Sequence, residues 1–292
     1  MLRLLTLFLT LSVAPLSADQ EEPRILFLGD SITYAGGWVV SVESAIRAQP
    51  GLSRATIVNL GLSSETVSGL SEPGHAGGSF PRPDLQERLG RALEKFKPTL
   101  VVACYGMNDG IYQPLDPQRT AAFREGMIRL RLACVRARAK VVLVTPSLYA
   151  PDRAPDAVNY DAVLQAYSGW LVEQKAAGWL VVDIRPKLRE QIAAAKKADP
   201  KFVYAKDAVH PGDEGHLFMA RAVWPQLAAI MKWDPSTPFA EGAKWKALRQ
   251  NMELLRNSWL TYVGHKRPGV ARGMPLEQAE ARSAAFLKDF LK

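Results

Sequence analysis

Short apolar runs alternate with helix-period patterns along most of the chain. Residues 24–28, 55–60, 99–105, 140–145 and 179–184 read as strands: each is a short apolar stretch that stops at a glycine, proline or polar residue. Runs of this kind belong to strands covered on both faces. Between and after them, residues 38–48, 85–96, 119–137, 156–177, 185–198 and 214–231 carry helical patterns. In the first of these Trp38, Val39, Val42, Ala45 and Ile46 form one apolar stripe, and Gln49-Pro50-Gly51 ends it. Strands alternating with helices predict an α/β domain with a doubly wound parallel sheet, here over residues 19–232. Residues 62–83, rich in Ser, Glu, Gly, His and Pro, predict a long irregular loop at the carboxyl edge of that sheet, and loops of this length are usually functional.

The pattern changes at both ends. Past Trp233, Pro235 and Pro238 interrupt the chain, and residues 239–262 and 275–291 then read as two helices joined by a link over 264–273. Leu248, Met252, Leu255, Trp259 and Tyr262 lie at helical spacing, so residues 233–292 are expected to form a helical extension packed on the α/β domain. At the other end Arg3, the uncharged run from Leu4 to Val13 and Pro15-Leu16-Ser17-Ala18 form a signal-peptide pattern, with cleavage expected after Ala18. The apolar run is well below the roughly 20 residues that span a bilayer, so export to the periplasm or medium is expected, without stable membrane insertion.

Composition narrows the picture. Nearly half of the 292 residues are apolar, enough for a substantial core. The net charge of +8 is spread along the chain with no basic arm, which gives no reason to expect a nucleic-acid partner. The two cysteines, Cys104 in an apolar run and Cys134 in a helical pattern, are too few for a disulfide framework and read as buried thiols.

Candidate chemistry gathers where strands end. Gly29-Asp30-Ser31 closes the first strand, Gly61 the second, Gly106-Met107-Asn108-Asp109 the third, and Asp207-Ala208-Val209-His210 precedes the last helix of the domain. A parallel sheet brings such positions to one edge. A serine hydroxyl needs a base, which His210 can be, and Asp207 can hold the other ring nitrogen. The backbone N–H groups of Ser31 and Gly61 and the Asn108 amide could meet a developing oxyanion. Each position also has a plain structural reading: Asn108-Asp109-Gly110 as a turn, Asp207 as a turn residue, Gly61 as a loop start, His210 as a surface residue. Their order and chemistry taken together favour a site.

These four blocks resemble those of the SGNH hydrolases, the GDSL esterases and lipases: Gly29-Asp30-Ser31-Ile32-Thr33, Asn59-Leu60-Gly61, Gly106-Met107-Asn108-Asp109 and Asp207-Ala208-Val209-His210-Pro211. The resemblance spans residues 24–231. It implies a flavodoxin-like five-stranded sheet of order 2-1-3-4-5, Ser31 as nucleophile, His210 as base, Asp207 as its orienter and an oxyanion hole from Ser31, Gly61 and Asn108. It implies neither a metal nor an organic cofactor. The expected activity is serine esterase chemistry on small acyl esters, acetyl above all, of a small molecule or glycan. Trp38 and the loop residues His75, Ser79 and Phe80 are candidates for sugar contacts, although Trp38 also fits a core position. A lipase or lysophospholipase, an acyltransferase and a non-catalytic glycan-binding protein are the alternatives.

Overall fold

A computed structural model describes residues 23–150 and 157–290. Strands β1 (Arg24–Gly29), β2 (Thr56–Asn59), β3 (Leu100–Cys104), β4 (Lys140–Val144) and β5 (Leu180–Val182) form one sheet. Its order is β2-β1-β3-β4-β5 and every pairing is parallel, as the resemblance implied. Phe27 of β1 is level with Asn59 of β2 and Val102 of β3, so the turns that follow these three strands emerge side by side.

The helices are α1 (Ser31–Ala35), α2 (Gly37–Arg47), α3 (Leu85–Phe96), α4 (Pro117–Arg136), α5 (Tyr160–Glu173), α6 (Arg185–Ala198) and α7 (Asp213–Met231). Two more, α8 (Gly242–Val263) and α9 (Leu276–Phe290), form the extension. Helices α2, α6 and α7 pack together in one layer, and α3, α4 and α5 in the other. Sequence pattern misses α1, because five residues are too short to display a helical period. Its limits are nevertheless chemical: the Asp30 side chain accepts the Ile32 N–H at 2.9 Å, and Gly36 at φ 82° stops the helix in the left-handed region that glycine enters without steric cost. The helix expected over 156–177 starts at Tyr160 and tightens into a 3₁₀ turn over Gln174–Ala177; residue 156 lies outside the described residues, as does the expected leader, 1–18.

Trp38 is fully buried and meets Phe27 edge to face at 5.5 Å, which makes it a core residue and removes it as a sugar platform. Cys104 and Cys134 are buried free thiols. Helix α8 lies across α2, β2 and α3, and its stripe is the one expected: Leu248, Met252, Leu255 and Trp259 are buried, with Trp259 edge-on to Phe96 at 5.1 Å. Tyr262 departs from it. That ring is 49% exposed and carries the Lys95 ammonium 4.3 Å from its centroid. No helix among the described residues is long and apolar enough to cross a membrane.

Because Trp38 fills the space between β1 and α2, Trp38→Ala should lower the unfolding free energy by about 3–5 kcal/mol. Urea denaturation followed by far-UV circular dichroism measures it, and a loss below about 1 kcal/mol would contradict a packed core role.

Candidate active site

Ser31 is the first residue of α1, placed by Asp30 at the carboxyl end of the central strand β1. His210 comes from the turn before α7, 179 residues away, and its Nε2 lies 2.8 Å from Ser31 Oγ. The other ring nitrogen, Nδ1, is 2.6 Å from Asp207 Oδ2. The carboxylate therefore accepts a hydrogen bond from Nδ1–H, fixing the tautomer in which Nε2 is an acceptor facing the serine hydroxyl.

Local backbone explains why a spacing of three works. The Asp207 Oδ1 atom accepts the N–H groups of Val209 at 3.1 Å and His210 at 2.8 Å, folding the turn around its own side chain. Ala208 adopts φ 70° within it, and an antiparallel bridge between Ala205 and Pro211 closes the base of the turn. Partial burial opposes the charge on Asp207. The hydrogen bonds from the His210 ring and from the two backbone N–H groups outweigh it and hold the carboxyl below its usual range. The side chains of His210 and Asp207 are 49% and 57% exposed, so water reaches the pair.

Asn108 follows β3 at the same edge. Tyr112 Oη donates to its Oδ1 at 3.1 Å and Arg82 Nη1 does so at 2.9 Å, which fixes the amide with its nitrogen toward the loop after β2. There Nδ2 donates one hydrogen to Glu65 O at 3.1 Å, and its second hydrogen remains for another acceptor.

Gly61 does not serve as expected. Its N–H is donated inward to Asn59 Oδ1 at 2.8 Å, so it is spent within the protein. The glycine answers a packing need instead: a Cβ there would lie 2.4 Å from the Tyr34 backbone nitrogen in α1. The free donor on this loop is three residues later. Glu65 N–H bonds Leu62 O at 3.2 Å, closing a four-residue turn in which Ser64 stands at φ 67°. That is the pattern of a type II turn, whose central peptide takes no part in the turn's own hydrogen bond. The Ser64 N–H belongs to this peptide and has no partner among the described residues. The turn is bracketed by the site: Leu62 N–H bonds Gly29 O at 2.8 Å on one side, and Glu65 O meets Asn108 on the other.

Around these groups stand supporting residues, of which Glu65, Arg88, Arg82 and Glu72 carry no signal in the sequence. Glu65 is wholly buried, and Arg88 grips it through Nε at 2.6 Å and Nη2 at 2.7 Å while Tyr105 Oη donates to it at 2.6 Å. Arg82 is gripped in turn by Glu72, at 2.6 and 2.7 Å, and Glu72 also meets His75 Nδ1 at 3.1 Å. Asp109 braces the loop by accepting Val67 and Ser68 N–H, both at 2.9 Å, and burial pushes its carboxyl up to about 6. Phe80 and the ring of His75 pack edge to face at 5.4 Å on the same loop. Among the described residues no group of three His, Cys, Asp or Glu could hold a metal ion.

The family model described as the GDSL-like lipase/acylhydrolase family matches residues 27–217. Among solved structures, the fold is similar to an acetylxylan esterase from Geobacillus stearothermophilus, at 22% identity and TM-score 0.52 over 70% of this chain and 94% of that one. It is also similar to an α/β hydrolase from the metagenome of Lake Arreo, Spain, at 22% identity and TM-score 0.53 over 71% of this chain and 96% of that one. No curated protein sequence matches the chain.

Asp30 supplies a pH test of this arrangement. Burial pushes its carboxyl up to about 7, with nearby Asp109 and Glu65 adding to the rise against the Ile32 N–H and His210. The folded protein thus holds this proton more tightly than the unfolded chain does, so the associated stability is complete below about pH 4 and is lost as pH rises through 7. Asp30→Asn keeps a capping side chain and cannot ionise. It should gain on the wild type between pH 4 and 8, by at most about 4 kcal/mol, in urea titrations at several pH values; a difference independent of pH would refute the buried-proton account.

Proposed function

Since the chain belongs to the GDSL-like lipase/acylhydrolase family, a family of carboxylic ester hydrolases, we propose that it cleaves small acyl esters by a Ser31-His210-Asp207 relay. One observation carries the reading: Ser31 Oγ, His210 Nε2, His210 Nδ1 and Asp207 Oδ2 form a continuous hydrogen-bonded line. In this mechanism Ser31 Oγ bonds to the ester carbonyl carbon as its proton passes to His210 Nε2. The carbonyl oxygen becomes an oxyanion, met by the N–H of Ser31, the N–H of Ser64 and the second Nδ2 hydrogen of Asn108. Collapse breaks the bond to the alcohol oxygen, which takes the proton from His210. Water then attacks the acyl-enzyme with His210 again accepting a proton, and the acid leaves as that proton returns to Ser31.

Water is favoured over a sugar as acyl acceptor by the exposure of His210 and Asp207. On the alcohol side we favour a carbohydrate. The acetylxylan esterase with the similar fold supports an acetyl group on a glycan as the first substrate to try. Residues 1–18 fit an export leader in this reading, which places the enzyme where extracellular glycans are met; N-terminal sequencing of protein recovered outside the cytoplasm should begin at Asp19.

Ser31→Ala should reduce kcat/KM on p-nitrophenyl acetate at least about 1,000-fold and abolish labelling by a fluorophosphonate probe. Full activity in that variant would end the proposal. An ester panel from acetyl to palmitoyl, with acetylated xylan included, tests the substrate: rates should fall with chain length, whereas a preference for palmitoyl would favour a lipase.

A further inference from the structure

The helical extension lies outside the residues matched by the family model, yet one of its side chains reaches the active-site edge. Arg267, in the link between α8 and α9, donates from Nε to Ser63 O at 3.0 Å, across 204 residues of sequence. The link that carries it is held at both ends. Arg91 of α3 donates from Nε to Val263 O at 3.0 Å and from Nη2 to Gly264 O at 3.2 Å, while Gly273 N–H bonds Thr261 Oγ1 at 2.9 Å. Gly273 also lies so close to the Ser258 backbone, 2.2 Å for a hypothetical Cβ, that no larger residue fits this crossing. The Arg267 guanidinium stands 5.2 Å from the centroid of Phe80, whose loop borders the site, and its Nη1 donates to Pro268 O at 2.6 Å.

Ser63 O is not an ordinary acceptor, because it shares a peptide unit with the Ser64 N–H. The two groups point in opposite directions across one rigid plane. In a turn closed between Leu62 and Glu65 this plane is the part that distinguishes type I from type II, and rotating it reverses the direction of the N–H. The type II form places residue 64 at positive φ, which suits glycine and is sterically costly for a serine. Nothing within the turn itself compensates for that cost. A cationic donor on the outer face of the Ser63 carbonyl does, and it also polarises the peptide so that the opposite N–H becomes a stronger donor.

We propose that Arg267 is a positioning residue for ester hydrolysis: through the Ser63–Ser64 peptide it fixes the Ser64 N–H toward the oxyanion, making the C-terminal extension part of the active site. This rests on the esterase reading above and on Ser64 as an oxyanion donor. Arg267 touches neither Ser31 nor His210, so its removal acts on stabilisation of the tetrahedral species and leaves ground-state binding almost unchanged.

The experiment uses the full chain with p-nitrophenyl acetate, comparing wild type, Arg267→Met, Arg267→Lys, Ser64→Gly and the double variant Ser64→Gly/Arg267→Met. Arg267→Met should lower kcat about 10- to 100-fold with KM within threefold of wild type. Arg267→Lys, which keeps a cationic donor, should recover part of the loss. In the Ser64→Gly background the same Arg267→Met change should cost less, because glycine holds positive φ unaided. A folded Arg267→Met protein with wild-type kcat overturns the proposal, as does a loss of equal size in both backgrounds. If Arg267→Met does not fold, the Lys variant and the double variant carry the comparison: wild-type kcat in Arg267→Lys overturns the proposal, as does a loss of about tenfold or more in the double variant relative to Ser64→Gly. Ser31→Ala in parallel separates the two ideas: a dead Ser31→Ala with an unimpaired Arg267→Met sinks the positioning role alone, while an active Ser31→Ala sinks the esterase mechanism itself.

Discussion

A single buried carboxylate holds the edge of the sheet in working order. Glu65 is inaccessible to water, which would be prohibitive for an unpaired charge. Arg88 meets it with two donors and Tyr105 with a third, and Arg88 Nη2 also bonds Leu60 O at 2.7 Å. Burial works against the charge on Arg88, but the carboxylate more than offsets it and keeps the guanidinium protonated. Removing one partner from such a pair typically costs about 3–5 kcal/mol, because the other is left charged in a dry interior. The consequence here is geometric as well as energetic. With Leu60 and Glu65 tied to α3 and β3, the turn between them has fixed ends, and its free N–H cannot drift from the serine.

The second constraint is the parallel sheet. Ser31, the 62–65 turn and Asn108 follow β1, β2 and β3, which are neighbours in register, so each is delivered to one edge by strand pairing alone. His210 has no strand of its own. It arrives on the loop before α7, and α7 is positioned by packing on α2, the helix that follows α1 and its Ser31. His210 and Ser31 therefore share a structural layer. That explains how two side chains 179 residues apart reach hydrogen-bonding distance without a long ordered strap.

Much of this was legible in the chain. Strands with both faces buried are short apolar runs whose ends are marked by abrupt changes to Gly, Asp, Ser and Asn, which point to Ser31 and Asn108, while Asp207 and His210 stand out by their place before the last helix of the domain. Legibility failed where backbone conformation, not residue type, carries the role. Glycine advertises close approach, so Gly61 drew attention, although its N–H is committed to Asn59 and its smallness serves packing against Tyr34. Ser64 occupies a left-handed conformation with no glycine to announce it. Arg82, Arg88 and Arg267 are indistinguishable from surface arginines in sequence, because their partners are backbone carbonyls, carboxylates and the Asn108 amide oxygen, brought near only by the fold.

The extension follows from the same physics. Loops at a sheet edge are stabilised mainly by what packs behind them, and β2 is an edge strand whose following turn has only β1 on one side. Helix α8 fills the exposed side: Met252 approaches Gly36 and lies 3.4 Å from Asn59 Nδ2, while Arg256 donates to Tyr34 O at 2.5 Å and stacks over the Tyr34 ring at 4.0 Å. Each of these contacts falls on α1 or on the residues that precede the 62–65 turn. Ser31 sits on a five-residue helix and gains little rigidity from that helix alone, since isolated short helices are unstable. The tail supplies support from outside the sheet: Trp245 and Ala240 fasten it to Ser41 and Ser44 of α2, and from that anchorage Arg256 and Arg267 reach Tyr34 O and Ser63 O at the edge where small displacements would separate the hydroxyl, the imidazole and the turn's free N–H.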